Sequence, residues 1–362
     1  MNKKNTLAAF RRSILKHTLL AGGIAFIFAC SNDKDDETPP SISSSLLLNF
    51  TSDYESGELR WMGTNSQSLE AGSLSFEQDS KVFAHNGKIF LLERIYSNLS
   101  CLEPQSIFNE SAIVQRSLES GSNPYEVAVA GGKGFIALNG ADYIQVFDAN
   151  TCVLGEKINL PISEANASSI KVRGDTLFVV LQRLEFWSAT KPGLLVRINA
   201  NTKALIDTIQ LNFYNPGFSI LSNGKLYVSS QKYNEDYSVD LEKSGIEIVD
   251  LSSGASEVLF TGVQLGGGAN GIALDENAQI LYSSIYANWG DAPVKPINLS
   301  SKSIYENLYG IADSFNGLVF DSESKKLFVA EASGLKIYDT AAKTTTTVDN
   351  DLPPYSLAIV RW

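Results

Sequence analysis

Residues 126–160, EVAVAGGKGFIALNGADYIQVFDANTCVLGEKINL, decide the fold. This segment contains four short runs of alternating apolar and polar residues separated by turn-forming residues, a pattern typical of β-strands. Four further copies follow it, and they read SIKVRGDTLFVVL with LLVRINANTKALIDTIQL, FSILSNGKLYVSS with GIEIVDLSSGASEVLFT, GIALDENAQILYSSI with PINLSSKSIYENL, and GLVFDSESKKLFVAEASGLKIYDTAAKTTTTV. A four-stranded unit that recurs about every 45 residues predicts the blades of a β-propeller.

The turn between the third and fourth strands is the most regular feature of these copies. It begins each time with Asp or Asn, at Asp148, Asn199, Asp250, Asn298 and Asp339, with spacings of 51, 51, 48 and 41 residues. A short polar side chain at this position can accept hydrogen bonds from the backbone of its own turn. Between the first and second strands, Asn86-Gly87 and Asn223-Gly224 predict tight hairpin turns.

The two ends of the chain supply the material for one further blade. A less regular copy at residues 81–118 brings the complete units to six. YSLAIVRW at the C-terminus matches a first strand, and the N-terminal segments LLLNFTSD, ELRWMG and GSLSF match the other three. A blade built from both termini closes the ring and removes exposed sheet edges. We therefore predict an all-β protein, a seven-bladed β-propeller closed by N- and C-terminal strands that share one blade.

The strand pattern also resembles the YncE/YVTN and NHL-like propellers. The resemblance rests on LYVSSQ at 226–231 followed by IEIVD at 246–250, and on LFVAE at 327–331 followed by LKIYD at 335–339. No YVTN tetrapeptide is intact, so the resemblance implies the fold and little about activity.

The first 29 residues are typical of a signal peptide. Five basic and no acidic residues begin the chain, and an apolar run at 18–29 follows that is too short to span a bilayer. The run ends in Ile27-Phe28-Ala29-Cys30, which resembles a bacterial lipobox, where the cysteine thiol carries diacylglycerol. An ordinary signal peptide or a buried cysteine are the alternatives. We predict a lipoprotein signal peptide at 1–29, lipidation of Cys30, a tether at 30–44 and the propeller at 45–362.

The predicted tether is polar, acidic and contains proline, so it cannot bury a core. Ser31, rather than Asp, follows Cys30, which resembles the sorting signal of outer-membrane lipoproteins. We expect a lipid-anchored protein of the cell envelope, at the outer membrane, and leave open whether it faces the periplasm or the medium.

Charge and cysteine content limit the partners. The signal carries five of the 29 Lys and Arg residues and none of the 40 Asp and Glu residues, so the remainder has a net charge of −16. Such a surface repels phosphate backbones, and we expect no nucleic-acid partner. We also expect a monomer. Cys101 and Cys152 either pair in an oxidising compartment or remain free thiols, and the sequence leaves both open.

Candidate ligand-binding residues lie in long insertions. In a propeller, the loops that lead into first strands share one face with those joining second to third strands, and function usually lies on such loops. Residues 183–192, 232–244 and 287–296 are insertions of the latter kind. The candidates are Trp187, Tyr233, Tyr237 and Trp289, with Tyr125 and Tyr355 at first strands. Aromatic rings beside carboxylates can stack on sugars or hold a peptide; alternatively, they fold inward over the sheets.

A catalytic alternative depends on a second resemblance. Asn270-Gly271 and Asn316-Gly317 resemble the first strands of gluconolactonase-like propellers, which implies a Ca²⁺ site in the central channel formed by Asn270, Asn316 and Glu126. Lys81 stands where that family has an acidic ligand, and an Asn-Gly pair also simply turns a chain. Outside the signal His85 is the only histidine, and its place beside the Asn86-Gly87 turn, on the opposite face, argues against a Ser-His-Asp triad or a histidine metal site.

The favoured function is therefore non-enzymatic. We expect an envelope lipoprotein that binds a glycan, peptide or protein on its insertion-rich face and needs no cofactor. The alternative is a metal-dependent lactonase, hydrolase or lyase with its site in the channel.

Overall fold

The structure is a computed structural model that describes residues 44–314 and 317–362, all within one compact unit. The predicted signal peptide, Cys30, nearly all of the tether and Asn316 lie outside the described residues.

Seven four-stranded antiparallel sheets form the described chain, and each is one blade. The chain begins with β1 (Ser45–Ser52), β2 (Gly57–Gly63) and β3 (Leu74–Phe76). Blade 1 contains β4 (Ser80–His85), β5 (Lys88–Glu93), β6 (Asn98–Leu102) and β7 (Val114–Ser117), with short 3-10 helices at Pro104–Ser106 and Glu110–Ala112. Blade 2 contains β8 (Pro124–Ala130), β9 (Lys133–Leu138), β10 (Tyr143–Asp148) and β11 (Leu154–Asn159).

Blade 3 differs by a small extra hairpin. Its strands are β12 (Ala167–Arg173), β13 (Thr176–Leu181), β16 (Pro192–Asn199) and β17 (Leu205–Tyr214), and the hairpin of β14 (Leu184–Glu185) and β15 (Ser188–Ala189) lies between its second and third strands. Blade 4 contains β18 (Pro216–Ser222), β19 (Lys225–Ser230), β20 (Gly245–Asp250) and β21 (Ser256–Thr261). A single-turn helix, α1 (Gly262–Leu265), connects it to blade 5.

The remaining blades complete the ring. Blade 5 contains β22 (Gly268–Asp275), β23 (Ile280–Tyr286), β24 (Val294–Asn298) and β25 (Ser303–Ile304). Blade 6 contains β26 (Gly317–Asp321), β27 (Lys326–Glu331), β28 (Gly334–Asp339) and β29 (Thr344–Val348). Blade 7 combines β30 (Pro354–Arg361) with β1, β2 and β3. The protein is a seven-bladed β-propeller.

The two termini close the ring as predicted. β30 is the innermost strand of blade 7 and pairs with β1 in antiparallel register, with Leu46 opposite Val360 and Leu48 opposite Ala358. These four side chains are buried in one apolar cluster. Because these hydrogen bonds and this cluster join the two ends of the chain, β1 has no free edge on its inner side and the ring is closed.

Apolar side chains pack mainly between neighbouring blades. Phe90 of blade 1 meets Phe147 of blade 2 edge to face, with ring centroids 5.5 Å apart, and both rings are fully buried. Ile144 of blade 2 and Val179 of blade 3 belong to the next cluster around the ring. Each sheet therefore depends on its neighbours to remove its apolar face from water.

The predicted turn residues perform the expected capping. The Asp148 carboxylate accepts hydrogen bonds from the backbone N–H groups of Asn150 and Thr151, at 2.9 and 2.8 Å. The same pair of bonds is made by the side chains of Asn199, Asp250, Asn298 and Asp339. These N–H groups lower the pKa of Asp148 because they stabilise its ionised form. Asn86-Gly87 and Asn223-Gly224 adopt positive φ, as the hairpin turns require.

A disulfide resolves the question that the sequence left open for two cysteines. Cys101 in β6 is bonded to Cys152 in the turn between β10 and β11, and their Cα atoms are 6.3 Å apart. Cys152 is buried beside the Phe90–Phe147 cluster. The bond therefore links blade 1 covalently to blade 2.

Candidate functional site

The loops between the second and third strands of the blades lie on one face of the propeller, which we call the loop face. It consists of residues 53–56, 94–97, 139–142, 182–191, 231–244, 287–293 and 332–333. The three predicted insertions, in blades 3, 4 and 5, are the longest of these loops, as expected. Exposed aromatic side chains stand at the tips of all three.

The blade 3 insertion carries its aromatic residues at the tip of a two-residue hairpin. Leu184 pairs with Ala189 and Glu185 with Ser188, so Phe186 and Trp187 form the turn. Phe186 is 98% exposed and Trp187 78%. Both adopt positive φ, 47° and 66°, a conformation that normally requires Asn or Gly in such a turn. At the base, Lys191 and Thr190 donate hydrogen bonds to Glu185, and these bonds lower the pKa of that carboxyl.

The blade 4 insertion has the same feature. Tyr237 is 83% exposed, with φ 64°. Asp236 holds the tip, since it accepts hydrogen bonds from the backbone N–H of Ser238 at 3.0 Å and from its hydroxyl at 2.6 Å. Tyr233, in contrast, is half-buried: its hydroxyl accepts a hydrogen bond from Gln231 and its ring packs edge-on against Tyr286. Burial raises the pKa of Tyr233 to about 12, so it remains a neutral phenol.

These two insertions enclose a groove of about 770 Å³. Its lining comprises Ser188, Ala189 and Thr190 from blade 3 with Tyr214, Lys232, Tyr233, Asn234, Glu235, Asp236, Asp240 and Lys243. Lys243 lies over the ring of Tyr214, with Nζ 5.2 Å from the centroid. Two aromatic rings therefore share a concave surface with carboxylates, amides and ammonium groups. Trp187 and Tyr237 directly adjoin lining residues in the chain.

The blade 5 insertion places Trp289 in a tight turn. Asp291 N–H donates to the carbonyl of Asn288 at 3.0 Å, and Trp289 between them is 92% exposed. The structure thus leaves Trp187, Tyr237 and Trp289 in solvent and half-buries Tyr233. The alternative that these rings all fold inward over the sheets fails for the three exposed ones.

Two further loops of this face carry aromatic residues that sequence reasoning missed. Tyr54 in the β1–β2 loop is exposed with φ 67°, and its ring meets Tyr355 edge-on at 6.0 Å. Tyr96 in the β5–β6 loop is exposed as well. Assigning strands to blades 7 and 1 in the sequence would have identified both residues, because each follows the second strand of its sheet.

The central channel is a separate cavity. First strands of all seven blades line it, and its volume is about 640 Å³. Tyr125 and Tyr355, the two ligand-binding candidates at first strands, both line it. The Tyr355 hydroxyl donates to Asp79 at 2.8 Å, and Arg94 donates to the same oxygen at 2.8 Å. The guanidinium of Arg94 also lies over the ring of Tyr125, 4.2 Å from its centroid.

The carboxylate of Glu126 in the channel already binds other groups of the protein. It pairs with Lys171 and accepts hydrogen bonds from the Ser169 hydroxyl and, at 2.6 Å, from the backbone N–H of Ile170. The backbone carbonyl oxygen of Asn270 accepts a hydrogen bond from the hydroxyl of Ser229. In residues 44–314 and 317–362, no three His, Cys, Asp or Glu side chains form a group suited to a metal ion. The metal role of Asn270, Asn316 and Glu126 stays a prediction.

His85 lies where the sequence predicts it, at the end of β4 beside the Asn86-Gly87 turn and on the face opposite the loop face. At that end its side chain also lines the channel. Its Nε2 lies 2.9 Å from the carbonyl oxygen of Val127. Burial lowers the pKa of His85, so the ring is neutral at pH 7.

Comparisons with known proteins agree on the fold. The chain is similar to a functionally unknown protein from Desulfotomaculum acetoxidans (10% identity, TM-score 0.62, covering 87% of this chain and 99% of that one). It is also similar to Kuenenia stuttgartiensis hydrazine synthase (10%, 0.61, 84% and 95%) and to apo AztD from Citrobacter koseri (12%, 0.57, 87% and 98%). Identities this low show a shared propeller and transfer no activity.

No family model matches the chain, and no curated protein matches it. The finer resemblance to YncE/YVTN and NHL-like propellers stays a prediction. Within the described residues, no helix has the length and apolar character needed to cross a membrane.

Proposed function

We propose that this protein is an envelope lipoprotein, anchored through Cys30, whose propeller binds a glycan on the loop face without catalysing a reaction. The glycan lies in the groove between the blade 3 and blade 4 insertions. Trp187 and Tyr237 extend the groove at its rim, and Trp289 offers a further stacking surface on blade 5.

One observation carries the proposal. Phe186, Trp187 and Tyr237 are bulky residues at positive φ in solvent-exposed tips. Each costs about 1–2 kcal/mol relative to glycine in that conformation and gains almost no burial in return. A sequence selected for stability alone would have Asn or Gly there. The rings therefore have a role outside the fold, and contact with a ligand is the role that exposed aromatic tips perform.

The composition of the groove favours a glycan among ligand classes. Tyr214 and Tyr233 supply faces for pyranose rings, and Asp236, Asp240 and Asn234 supply acceptors and donors for hydroxyl groups. The channel offers less support for the alternative, a metal-dependent enzyme. A carboxylate that binds a metal ion needs free oxygens, and Glu126 is paired with Lys171.

Removing aromatic rings from the loop face is expected to weaken glycan retention without loss of stability. The double variant Tyr237→Ala, Trp289→Ala should retain the melting temperature of the wild type, because both side chains are exposed. Each stacked ring contributes about 1 kcal/mol or more, so retention on an array of envelope and environmental polysaccharides should fall at least roughly tenfold.

The matched control is Leu205→Ala, Ile206→Ala, which removes two exposed apolar side chains at the start of β17, away from the loop face. This variant should bind like the wild type. Equal losses in both variants, or wild-type protein that no polysaccharide retains, would contradict a glycan site on the loop face.

The anchoring half of the proposal has its own test. The disulfide supports export, because such bonds persist in oxidising compartments. Cys30→Ser should abolish incorporation of labelled fatty acid and move the protein from the membrane fraction to the soluble fraction. Ser31→Ala, at the adjacent residue, should leave both unchanged. A Cys30→Ser protein that remains in the membrane fraction would show that another segment anchors it.

A further inference from the structure

Within the described residues, the ammonium group of Lys81 in the channel has no hydrogen-bonded counterion. Its contacts within the described residues are two aromatic rings, with Nζ 4.3 Å from the centroid of Tyr125 and 5.5 Å from that of Phe218, and it forms no hydrogen bond or ion pair there. These rings come from blades 2 and 4, so Lys81 extends across the channel from blade 1. Cation–π contacts stabilise the charge but satisfy none of the three N–H donors.

The neighbouring carboxylates are committed elsewhere. Asp79 accepts from Arg94 and from Tyr355, and Glu126 is paired with Lys171. At the far end, Arg361 is paired with the fully buried carboxylate of Asp321. Glu276, the other acidic residue of the lining, lies in the exposed β22–β23 turn. Asp79 and Glu126 therefore attract the charge of Lys81 only at longer range, and within the described lining no carboxylate forms an ion pair with its ammonium group.

The cavity has room beside this charge. First strands of blades 4, 5 and 6 each present a glycine to the channel, at Gly217, Gly271 and Gly317. A Cβ at Gly217 would meet no heavy atom within 4 Å, so the space there is open. Apolar side chains, including Phe218 and Leu318, also line the cavity. The Ser356 hydroxyl, which accepts from the backbone N–H of Val82 at 3.2 Å, retains its own proton for a ligand.

We propose that the channel is a second ligand site, independent of the loop face, where Lys81 binds the carboxylate of a small organic acid. The body of the acid occupies the open space at Gly217, against Phe218 and Leu318. The site should select a monoanion, because one ammonium without a hydrogen-bonded counterion pairs with one carboxylate and leaves the second charge of a dianion such as sulfate unpaired.

Benzoate is the probe, with benzamide as its neutral analogue and inorganic sulfate, doubly charged at pH 6, as the dianion. At pH 6, calorimetric titration of the wild-type protein should show benzoate binding at millimolar affinity or better, and at least tenfold weaker binding of benzamide and sulfate. Lys81→Met keeps the length and removes the charge, so the affinity for benzoate should fall at least tenfold.

Two further variants separate the channel from general effects. Lys157→Met removes a lysine that also lies over a tyrosine ring, at 4.0 Å from Tyr143, but outside the channel, and it should bind benzoate normally. Gly217→Val fills the open space while keeping Lys81, and it should lose benzoate. Wild-type protein without benzoate binding, or undiminished binding in both Lys81→Met and Gly217→Val, would overturn the proposal.

The affinity should also depend on pH with a definite sign. Burial, and then the nearby charge of Arg94, lower the pKa of Lys81 to about 7. The charged groups and other titratable groups that face it are Asp79, His85, Arg94, Tyr125, Glu126, Lys171 and Tyr355. Since benzoate binds the protonated amine, its affinity should be full below pH 7 and fall about tenfold between pH 6 and pH 8. A flat profile over this window would contradict a role for Lys81.

Discussion

Replacing Cys101 and Cys152 together by alanine is expected to lower the free energy of unfolding by about 4 kcal/mol. The bond closes a loop with a sequence separation of 51 residues, which lowers the conformational entropy of the unfolded chain. Without the bond the unfolded chain regains that entropy, and unfolding becomes more favourable. The bond lies at the junction between blades 1 and 2, where Phe90, Phe147 and Cys152 are packed in one cluster, so this junction should lose the most stability. Alanine keeps both positions apolar, so that the loss of the bond dominates the change.

Guanidinium unfolding measures this difference, and a reductant supplies the control. Dithiothreitol should lower the unfolding midpoint of the wild type towards that of the double variant, and it should leave the double variant unchanged. If the double variant unfolds at the wild-type midpoint, blade packing alone holds this junction together.

The number of blades was predictable because its signals are local. Alternation along strands, Asp or Asn at the third turn and Asn-Gly at hairpins each depend on neighbours within a few residues. Ring closure was predictable for the same reason, since both termini carry strand patterns without partners of their own. The turn residues Asp148 and Asn199 act as their chemistry requires, whatever the rest of the chain does.

The remaining features depend on distances between blades, which no local pattern encodes. Cys101 and Cys152 lie on different sheets, so their pairing follows from how those sheets pack. Lys81 meets the rings of Tyr125 and Phe218 only because the ring brings first strands of three blades into one channel. The turn at Phe186 and Trp187, where both residues adopt positive φ, could not be predicted for a different reason. Here the local sequence itself is misleading, because a two-residue turn of this kind normally contains Asn-Gly.

At the tip of the blade 3 hairpin, we expect one substitution to raise the free energy of unfolding and to weaken glycan binding. Phe186→Asn, Trp187→Gly supplies the residues that a two-residue turn at positive φ favours, so the free energy of unfolding should rise by about 1–2 kcal/mol. The same change removes two exposed rings beside the groove, so retention on the polysaccharide that binds the wild type should fall at least roughly tenfold. Gains in stability at the cost of activity are expected where a site carries backbone strain.

The control variant Phe186→Ala, Trp187→Ala separates the two effects. It removes both rings but keeps residues with a Cβ at positive φ, so it should lose binding without the gain in stability. Urea unfolding and the polysaccharide array measure the two quantities on the same preparations. A lower stability in the Asn-Gly variant would mean that the rings pack on the propeller body, and unchanged retention would mean that they do not touch the ligand. Either result would remove the physical reason for assigning the loop face a binding role, since that reason is strain at the tip without burial to offset it.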